Sequence, residues 1–161
     1  MSRYASKTEV SPAKSRAEIE DTVTRYGATS FASGWHSDRA VIQFEMKGRR
    51  ARFTLPMPDP KAKAFTEYTQ RGKRWARTES AAAELYQQAV RQRWRALLLV
   101  VKAKLEAVEA GISVFEDEFM AAIVLPDGHT VGEVMREQIA LAYRDGTMPP
   151  LLPDYSKGGS A

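Results

Sequence analysis

The chain of 161 residues contains no cysteine. That excludes a disulfide framework, a thiolate nucleophile and a thiolate metal site. Asparagine is absent too, so there is no Asn-x-Ser/Thr acceptor for N-linked glycans. Only two histidines are present, His36 and His129, and neither falls in a pattern of nucleophilic catalysis. Long apolar runs are also missing: the most apolar stretch, residues 96–101, is far too short to cross a bilayer and is bounded by Arg95 and Lys102. The first residues, Met1-Ser-Arg-Tyr-Ala-Ser-Lys7, have no apolar core of the secretory kind. There is no phosphate-binding glycine loop, no G-x-G-x-x-G and no H-E-x-x-H. These absences direct the expectation toward a non-catalytic protein of the cytoplasm, without metal or cofactor and not associated with membranes.

What the chain does have is charge sorted along its length. Residues 1–46 hold six Lys/Arg and six Asp/Glu. Residues 47–104 hold fifteen against four, a net of +11. Residues 105–154 hold two against ten, a net of −8. The overall +4 therefore conceals a strongly basic middle and an acidic end. The basic part also carries Phe53, Phe65, Tyr68, Trp75, Tyr86 and Trp94. Cations interleaved with flat aromatics suit a polyanion whose bases can stack, which is a single-stranded nucleic acid.

The local pattern predicts one α+β domain over residues 15–148, between a loose N-terminus (1–14) and a Pro/Gly-rich tail (149–161) broken by Pro149, Pro150 and Pro153. Ser15-Arg-Ala-Glu18 reads as a capping box that opens a helix, with Gly27 ending it. Period-two alternation follows. Ala40, Ile42, Phe44 and Met46 face one way, and the pattern resumes after Gly48 with Ala51, Phe53 and Leu55. These strands make a hairpin turning at Lys47-Gly48-Arg49. An earlier strand near residues 31–35 completes a three-stranded antiparallel meander. Pro56, Pro58 and Pro60 stop the sheet, and residues 57–78 read as a long irregular connection.

A long helix is predicted over residues 80–110. Tyr86, Val90, Trp94, Leu97, Val101, Leu105 and Val108 form its buried stripe, with Arg91, Arg95 and Lys102 opposite and Gly111 at its end. Ser113-Val-Phe-Glu116 reads as a second capping box and Thr130-Val-Gly-Glu133 as a third, each opening a C-terminal helix. Between them Pro126-Asp-Gly128 is a turn. The expected fold is therefore a meander packed on a long helix with a helical C-terminal part.

Three groups of cations form the candidate nucleic-acid surface: Lys47, Arg49, Arg50 and Arg52 on the hairpin; Arg71, Lys73, Arg74 and Arg77 around Trp75; and Arg91 with Arg95 on the long helix. Arginine offers fork-shaped donors to phosphate oxygens, and an exposed Trp offers a platform for a base. Each group has a plainer explanation as well. The hairpin cations can be a solvated sheet face, Trp75 can fold onto the core, and Arg91 and Arg95 can pair with Glu84, Glu106 or another acid. The acidic residues Glu116, Asp117, Glu118, Glu133 and Glu137 are candidates for contact with a neighbouring copy's cations in a homo-oligomer. Glu116-Asp-Glu118 with His129 makes a poor metal site, since successive helical carboxylates diverge. Glu45-Met-Lys47 with Asp38 upstream faintly resembles the carboxylate–lysine arrangement of metal-dependent nucleases.

Several segments resemble a family of small phage and prophage proteins of unassigned function: Arg25-Tyr-Gly-Ala-Thr29, Phe44-Glu-Met-Lys-Gly-Arg-Arg-Ala-Arg-Phe53, Arg91-Gln-Arg-Trp-Arg-Ala-Leu97, Lys102-Ala-Lys-Leu-Glu-Ala-Val-Glu-Ala-Gly111 and Leu125-Pro-Asp-Gly-His-Thr-Val-Gly-Glu133. That resemblance implies an origin rather than an activity. The expected order of elements is also similar to the core of single-strand annealing proteins, which bind DNA between hairpin and helix and often form rings. From the two together, the expected function is single-stranded DNA binding or annealing in phage recombination or replication. An accessory module that binds a host protein is the rival expectation, and a metal-dependent nuclease the third.

Overall fold

The computed structural model describes residues 8–147 and 150. The loose N-terminus through residue 7 and the predicted tail, Pro150 apart, lie outside the described residues. Helix α1 is Pro12–Arg25, followed by strands β1 (Ser30–His36), β2 (Arg39–Met46) and β3 (Arg49–Pro56). A short helix α2 (Lys63–Thr66) leads into strands β4 (Glu67–Gln70) and β5 (Lys73–Ala76). The long helix α3 is Glu79–Glu109, then come α4 (Phe115–Phe119), a 3-10 turn (Met120–Ala122) and α5 (Val131–Asp145). The protein is α+β: a three-stranded antiparallel sheet in the order β1-β2-β3, the long helix and helices at the C-terminal end.

The sheet exists because its apolar residues keep a period of two. Ala40, Ile42, Phe44 and Met46 are all buried, and each pairs directly across with a β3 residue: Leu55, Phe53, Ala51 and Arg49. Both hairpins of the meander close through two residues, 37–38 and 47–48. At the second turn Lys47 has φ 51° and Gly48 φ 71°. Two successive positive φ values match the right-handed twist of the flanking strands, and glycine meets that demand without steric cost.

Helices α1 and α3 cover the apolar face of this sheet. They run side by side in the same direction: Glu18 meets Arg95, and the Tyr26 hydroxyl donates to Glu106. Ile19 and Val23 from α1 join Trp94, Leu97, Leu98, Val101 and Leu105 from α3 in the buried cluster. From below, α4 inserts Phe115 and Phe119; Phe119 meets Phe44 and Phe53 edge-on, with ring centroids 5.8 Å and 6.1 Å away. Such pairs add about 0.5–1.5 kcal/mol each beyond area burial.

Three local expectations are corrected. Helix α1 begins at Pro12, not at Ser15: Ser11 caps it by accepting from the Lys14 amide at 3.2 Å, with Pro12 in the first turn. Proline at that position loses no hydrogen bond, because the first amides of a helix have no partner within it. Ser15 is instead fully buried one turn in. The box at Ser113 does not form either, since α4 starts after Val114 with no side-chain cap. At Thr130 the box is complete: Thr130 Oγ1 accepts from the Glu133 amide, and the Glu133 carboxylate accepts from the Thr130 amide at 2.7 Å.

The third correction concerns residues 57–78, which are not irregular. After the prolines, α2 seats Phe65 edge-on against Tyr86 of α3, with ring centroids 6.0 Å apart. Strands β4 and β5 then form a separate two-stranded ribbon.

Candidate nucleic-acid interface

The ribbon gathers Arg71, Lys73 and Arg74, with Arg77 at its foot. Glu67 pairs with Ala76, Tyr68 with Trp75, Thr69 with Arg74 and Gln70 with Lys73. Its two-residue turn is Arg71-Gly72, with φ of 52° and 77°, the same conformation as Lys47-Gly48. Every residue of β5 is exposed, as are Tyr68, Thr69 and Gln70. The ribbon is anchored at its foot, where the Arg77 amide donates to the Thr66 carbonyl at 2.7 Å and α2 packs against α3.

Side chains directly opposite in an antiparallel pair share a face. One face of the ribbon therefore carries Tyr68, Gln70, Lys73 and Trp75, continued by Arg77, whose guanidinium lies over the Tyr68 ring at 5.3 Å. Trp75 is 53% exposed and Tyr68 38% exposed. Trp75 thus stays on the surface, beside a second aromatic. At the foot of the ribbon is an open hollow of about 480 Å³, lined by Lys63, Ala64, Glu67, Tyr68, Thr69, Arg74 and Arg77. Arg71, Lys73 and Arg74 make no ion pair among the described residues.

The other proposed cations are placed differently. Arg50 and Arg52 share the outer face of the sheet, but Arg50 meets Glu45 at 3.1 Å and Arg52 meets Glu133 at 2.9 Å. Lys47 and Arg49 remain exposed at the turn. The turn and the ribbon form separate sites, not one continuous surface. An eight-residue strand covers about 25 Å, and β3 runs that length from Arg49 to Pro56 before the chain reaches α2. On α3, Arg95 is tied to Glu18 at 2.7 Å and the Arg91 guanidinium donates to Gln88 Oε1 at 2.6 Å. Neither of the two extends the ribbon's surface. Trp94 is buried at 7% exposure, in the stripe predicted for it.

Part of the acidic end folds back on the basic middle within one chain. Glu118 lies 3.5 Å from Lys104 Nζ, and Glu133 bridges Arg52 and the start of α5. The amide of Thr130, with the Arg52 charge in support, holds the Glu133 carboxyl below the usual carboxylate range. Glu116, Asp117 and Glu137 make no ion pair among the described residues.

The carboxylate–lysine arrangement does not assemble. Asp38 precedes β2 and Glu45 stands near its far end, about 23 Å away at the rise of an extended strand. Asp38 is engaged by Arg39 and by His36, which hold its carboxyl well below the usual range, in that order of strength. Glu45 serves Arg50. His129 sits 3.4 Å from Asp127, away from the Glu116–Glu118 run.

What the sequence reading missed is the ribbon's geometry. Its signal was present: Arg71-Gly72 sits midway between Tyr68 and Trp75, the spacing of a two-residue hairpin turn. Comparison of the chain with protein-family models, curated proteins and solved structures gives no match. Among the described residues no helix is long and apolar enough to cross a membrane.

Proposed function

We propose that the protein binds single-stranded nucleic acid through the β4–β5 ribbon. The observation that carries the reading is the exposed Tyr68–Trp75 pair on one ribbon face, bordered by Lys73 and Arg77, with Arg71 at the turn and Arg74 on the opposite face. A single strand presents unpaired bases and closely spaced phosphates. The aromatic pair offers stacking surface to the first, and the cations offer charge to the second. The hollow at the ribbon's foot, with Lys63, Arg74 and Arg77 in its lining, suits a phosphate.

The turn conformation supports the same reading. A non-glycine residue at positive φ costs about 1–2 kcal/mol. Two of the three hairpin tips nevertheless carry a cation there, Lys47 and Arg71, where Asn or Gly would be less strained. Strain of this kind gathers at working surfaces. The setting that fits the resemblance is phage recombination or replication in the cytoplasm of a bacterial host. The route used by annealing proteins, between hairpin and long helix, is filled here by Ile42, Phe44, Leu98 and Val101, so the ribbon takes its place as the reading surface.

The test is titration of labelled single-stranded and double-stranded oligonucleotides at two salt concentrations, with and without magnesium. Three or four ribbon cations neutralising phosphates give a logarithmic salt slope of about −2 to −3 on a single strand. Affinity then falls roughly 20- to 50-fold between about 50 and 200 mM salt. Lys73→Ala with Arg74→Ala should flatten that slope. Absence of binding at low salt, or a slope of zero, overturns the reading and favours a protein-binding accessory module.

A further inference from the structure

The sheet has two edges, and they are treated differently. Along β3 the edge is guarded: the Val124 amide donates to the Arg50 carbonyl at 2.8 Å, Ile123 bridges to Ala51, and the strand carries Arg49, Arg50, Arg52 and Pro56. Charge, proline and a covering segment are the usual protections of an exposed edge. Among the described residues, strand β1 has none of them. Its sequence, Ser30-Phe-Ala-Ser-Gly-Trp-His36, has no Lys, Arg, Asp, Glu or Pro, and six of its seven residues are exposed.

The register shows which main-chain groups are left over. His36 and Arg39 close a two-residue turn. Such a closing pair exchanges both of its hydrogen bonds, and bonding pairs then alternate along the ladder. His36, Gly34, Ala32 and Ser30 therefore aim their N–H and C=O groups at β2. Phe31, Ser33 and Trp35 aim theirs outward. None of these three has a backbone partner outside the ladder among the described residues. Trp35 is 81% exposed at the same edge.

The outward residues are symmetric about Ser33. We propose that β1 pairs antiparallel with β1 of a second copy of this chain, around a two-fold axis through Ser33. Two three-stranded sheets then join into one of six strands. In this register Ser33 faces Ser33, and Phe31 faces Trp35 of the second copy, twice over. All three outward positions become bonding pairs, exchanging about six hydrogen bonds. Slipping the register by two leaves one outward residue unpaired on each copy, and slipping it by one brings outward groups against inward ones. The Phe31–Trp35 pairs fall on the sheet face that also bears Ile42 and Phe44, because Phe31 opposes Phe44 and Ser33 opposes Ile42. The exposed Trp35 of each copy thus gains the half-buried Phe31 of the other as an aromatic partner. The occupant is a second copy because the strand complements itself in side-chain size, absence of charge and hydrogen-bond phase. This assembly needs none of the charge contacts expected of Glu116, Asp117 and Glu137, and it stands whether or not the ribbon binds nucleic acid.

The absence of cysteine makes the test clean. Bonding pairs hold their Cα atoms about 5.5 Å apart, inside the range of about 4.4–6.8 Å that a disulfide spans. Ser33→Cys should therefore give a covalent dimer under dissolved oxygen, which takes up the electrons of the two thiols. Thr54→Cys, exposed on β3 and away from the axis, should not. Sedimentation equilibrium without nucleic acid should show a wild-type dimer that persists as salt rises. Ser33→Lys sets two ammonium groups against each other across the axis and should give a folded monomer whose melting temperature, unlike that of the wild type, does not depend on protein concentration. A wild-type chain that is monomeric at all concentrations overturns the proposal. So does a dimer that Ser33→Lys leaves intact, one that dissolves in salt, or equal cross-linking at Ser33 and Thr54.

Discussion

Replacing Trp75 by Ala separates the ribbon from the rest of the molecule. Trp75 is 53% exposed, its strand has no buried residue, and its cross-strand neighbour is Tyr68. Losing that neighbour costs the ribbon about 0.2–1 kcal/mol, and none of the buried core cluster lies in the ribbon. Global stability should therefore stay within about 0.5 kcal/mol of the parent. Binding should change much more. Stacking of one base on an aromatic is worth about 1–3 kcal/mol on truncation to Ala, so at about 1.4 kcal/mol per decade affinity for a labelled single strand should fall roughly 5- to 150-fold. Trp94→Ala is the internal contrast. It empties a site that is 7% exposed in the main cluster and should cost about 3–5 kcal/mol of stability. Fluorescence anisotropy and urea unfolding on the same preparations read both quantities. If Trp75→Ala binds as tightly as the parent, the aromatic pair is not the stacking surface. If it unfolds the domain, the ribbon is a structural element.

Three further perturbations test the frame around the ribbon. Lys47→Asn relieves a positive φ at the β2–β3 turn and should raise the urea midpoint by the equivalent of about 0.5–1 kcal/mol; a loss of stability would show that the Lys side chain supports the turn. Gly132→Ala places a Cβ 2.8 Å from the Ala121 carbonyl oxygen, forcing α5 off the 3-10 turn at a cost of about 1–3 kcal/mol, read by thermal melting. The Glu133 pKa is depressed in the folded state, first by the Thr130 amide and then by Arg52. Its contribution is therefore complete above the unfolded carboxylate range and is lost as pH falls through the folded value. Glu133→Gln should be less stable than the parent at neutral pH, by about 0.2–1 kcal/mol for a half-exposed pair. The two melting curves should converge in acid, and a constant gap across pH would refute the ionic part.

The meander and the long helix were legible because each signals its own period. Ile42, Phe44 and Met46 repeat at two, while Trp94, Leu97, Val101 and Leu105 repeat at three and four. Capping boxes were legible only where local geometry and packing agreed. Thr130 and Glu133 satisfy each other, whereas the same spacing at Ser15 is overridden by Ser11 and Pro12. A four-residue pattern recurs too easily to fix a helix start by itself. Ribbon strands gave no period, because with both faces in solvent there is no apolar alternation to see. The ion pairs were illegible for another reason: Arg52 finds Glu133 and Arg95 finds Glu18 across roughly eighty residues of sequence, and spacing carries no information at that range.

Those long-range pairs change the meaning of the charge pattern. Read along the chain, residues 47–104 look like one basic block of net +11. Folding dismantles it. Glu45 takes Arg50, Glu133 takes Arg52, Glu18 takes Arg95 and Glu118 takes Lys104. These acids come from β2, α5, α1 and α4, so the neutralisation comes from the whole fold and concentrates on the sheet and the long helix. On the ribbon, Arg71, Lys73, Arg74 and Arg77 stand against Glu67 alone, and none of the four is in an ion pair among the described residues. Like charges gathered on a thin projection repel one another, and an external anion relieves that repulsion. Acids from α1, β2, α4 and α5 thus take cations of the sheet and the long helix and leave those of the ribbon unpaired, which supports the proposal that a polyanion binds there. Moving a carboxylate there tests the argument: Thr69→Glu places an acid directly opposite Arg74. It should steady the ribbon while lowering single-strand affinity and the salt slope together, whereas unchanged affinity would show that the ribbon's unbalanced charge does not attract the strand.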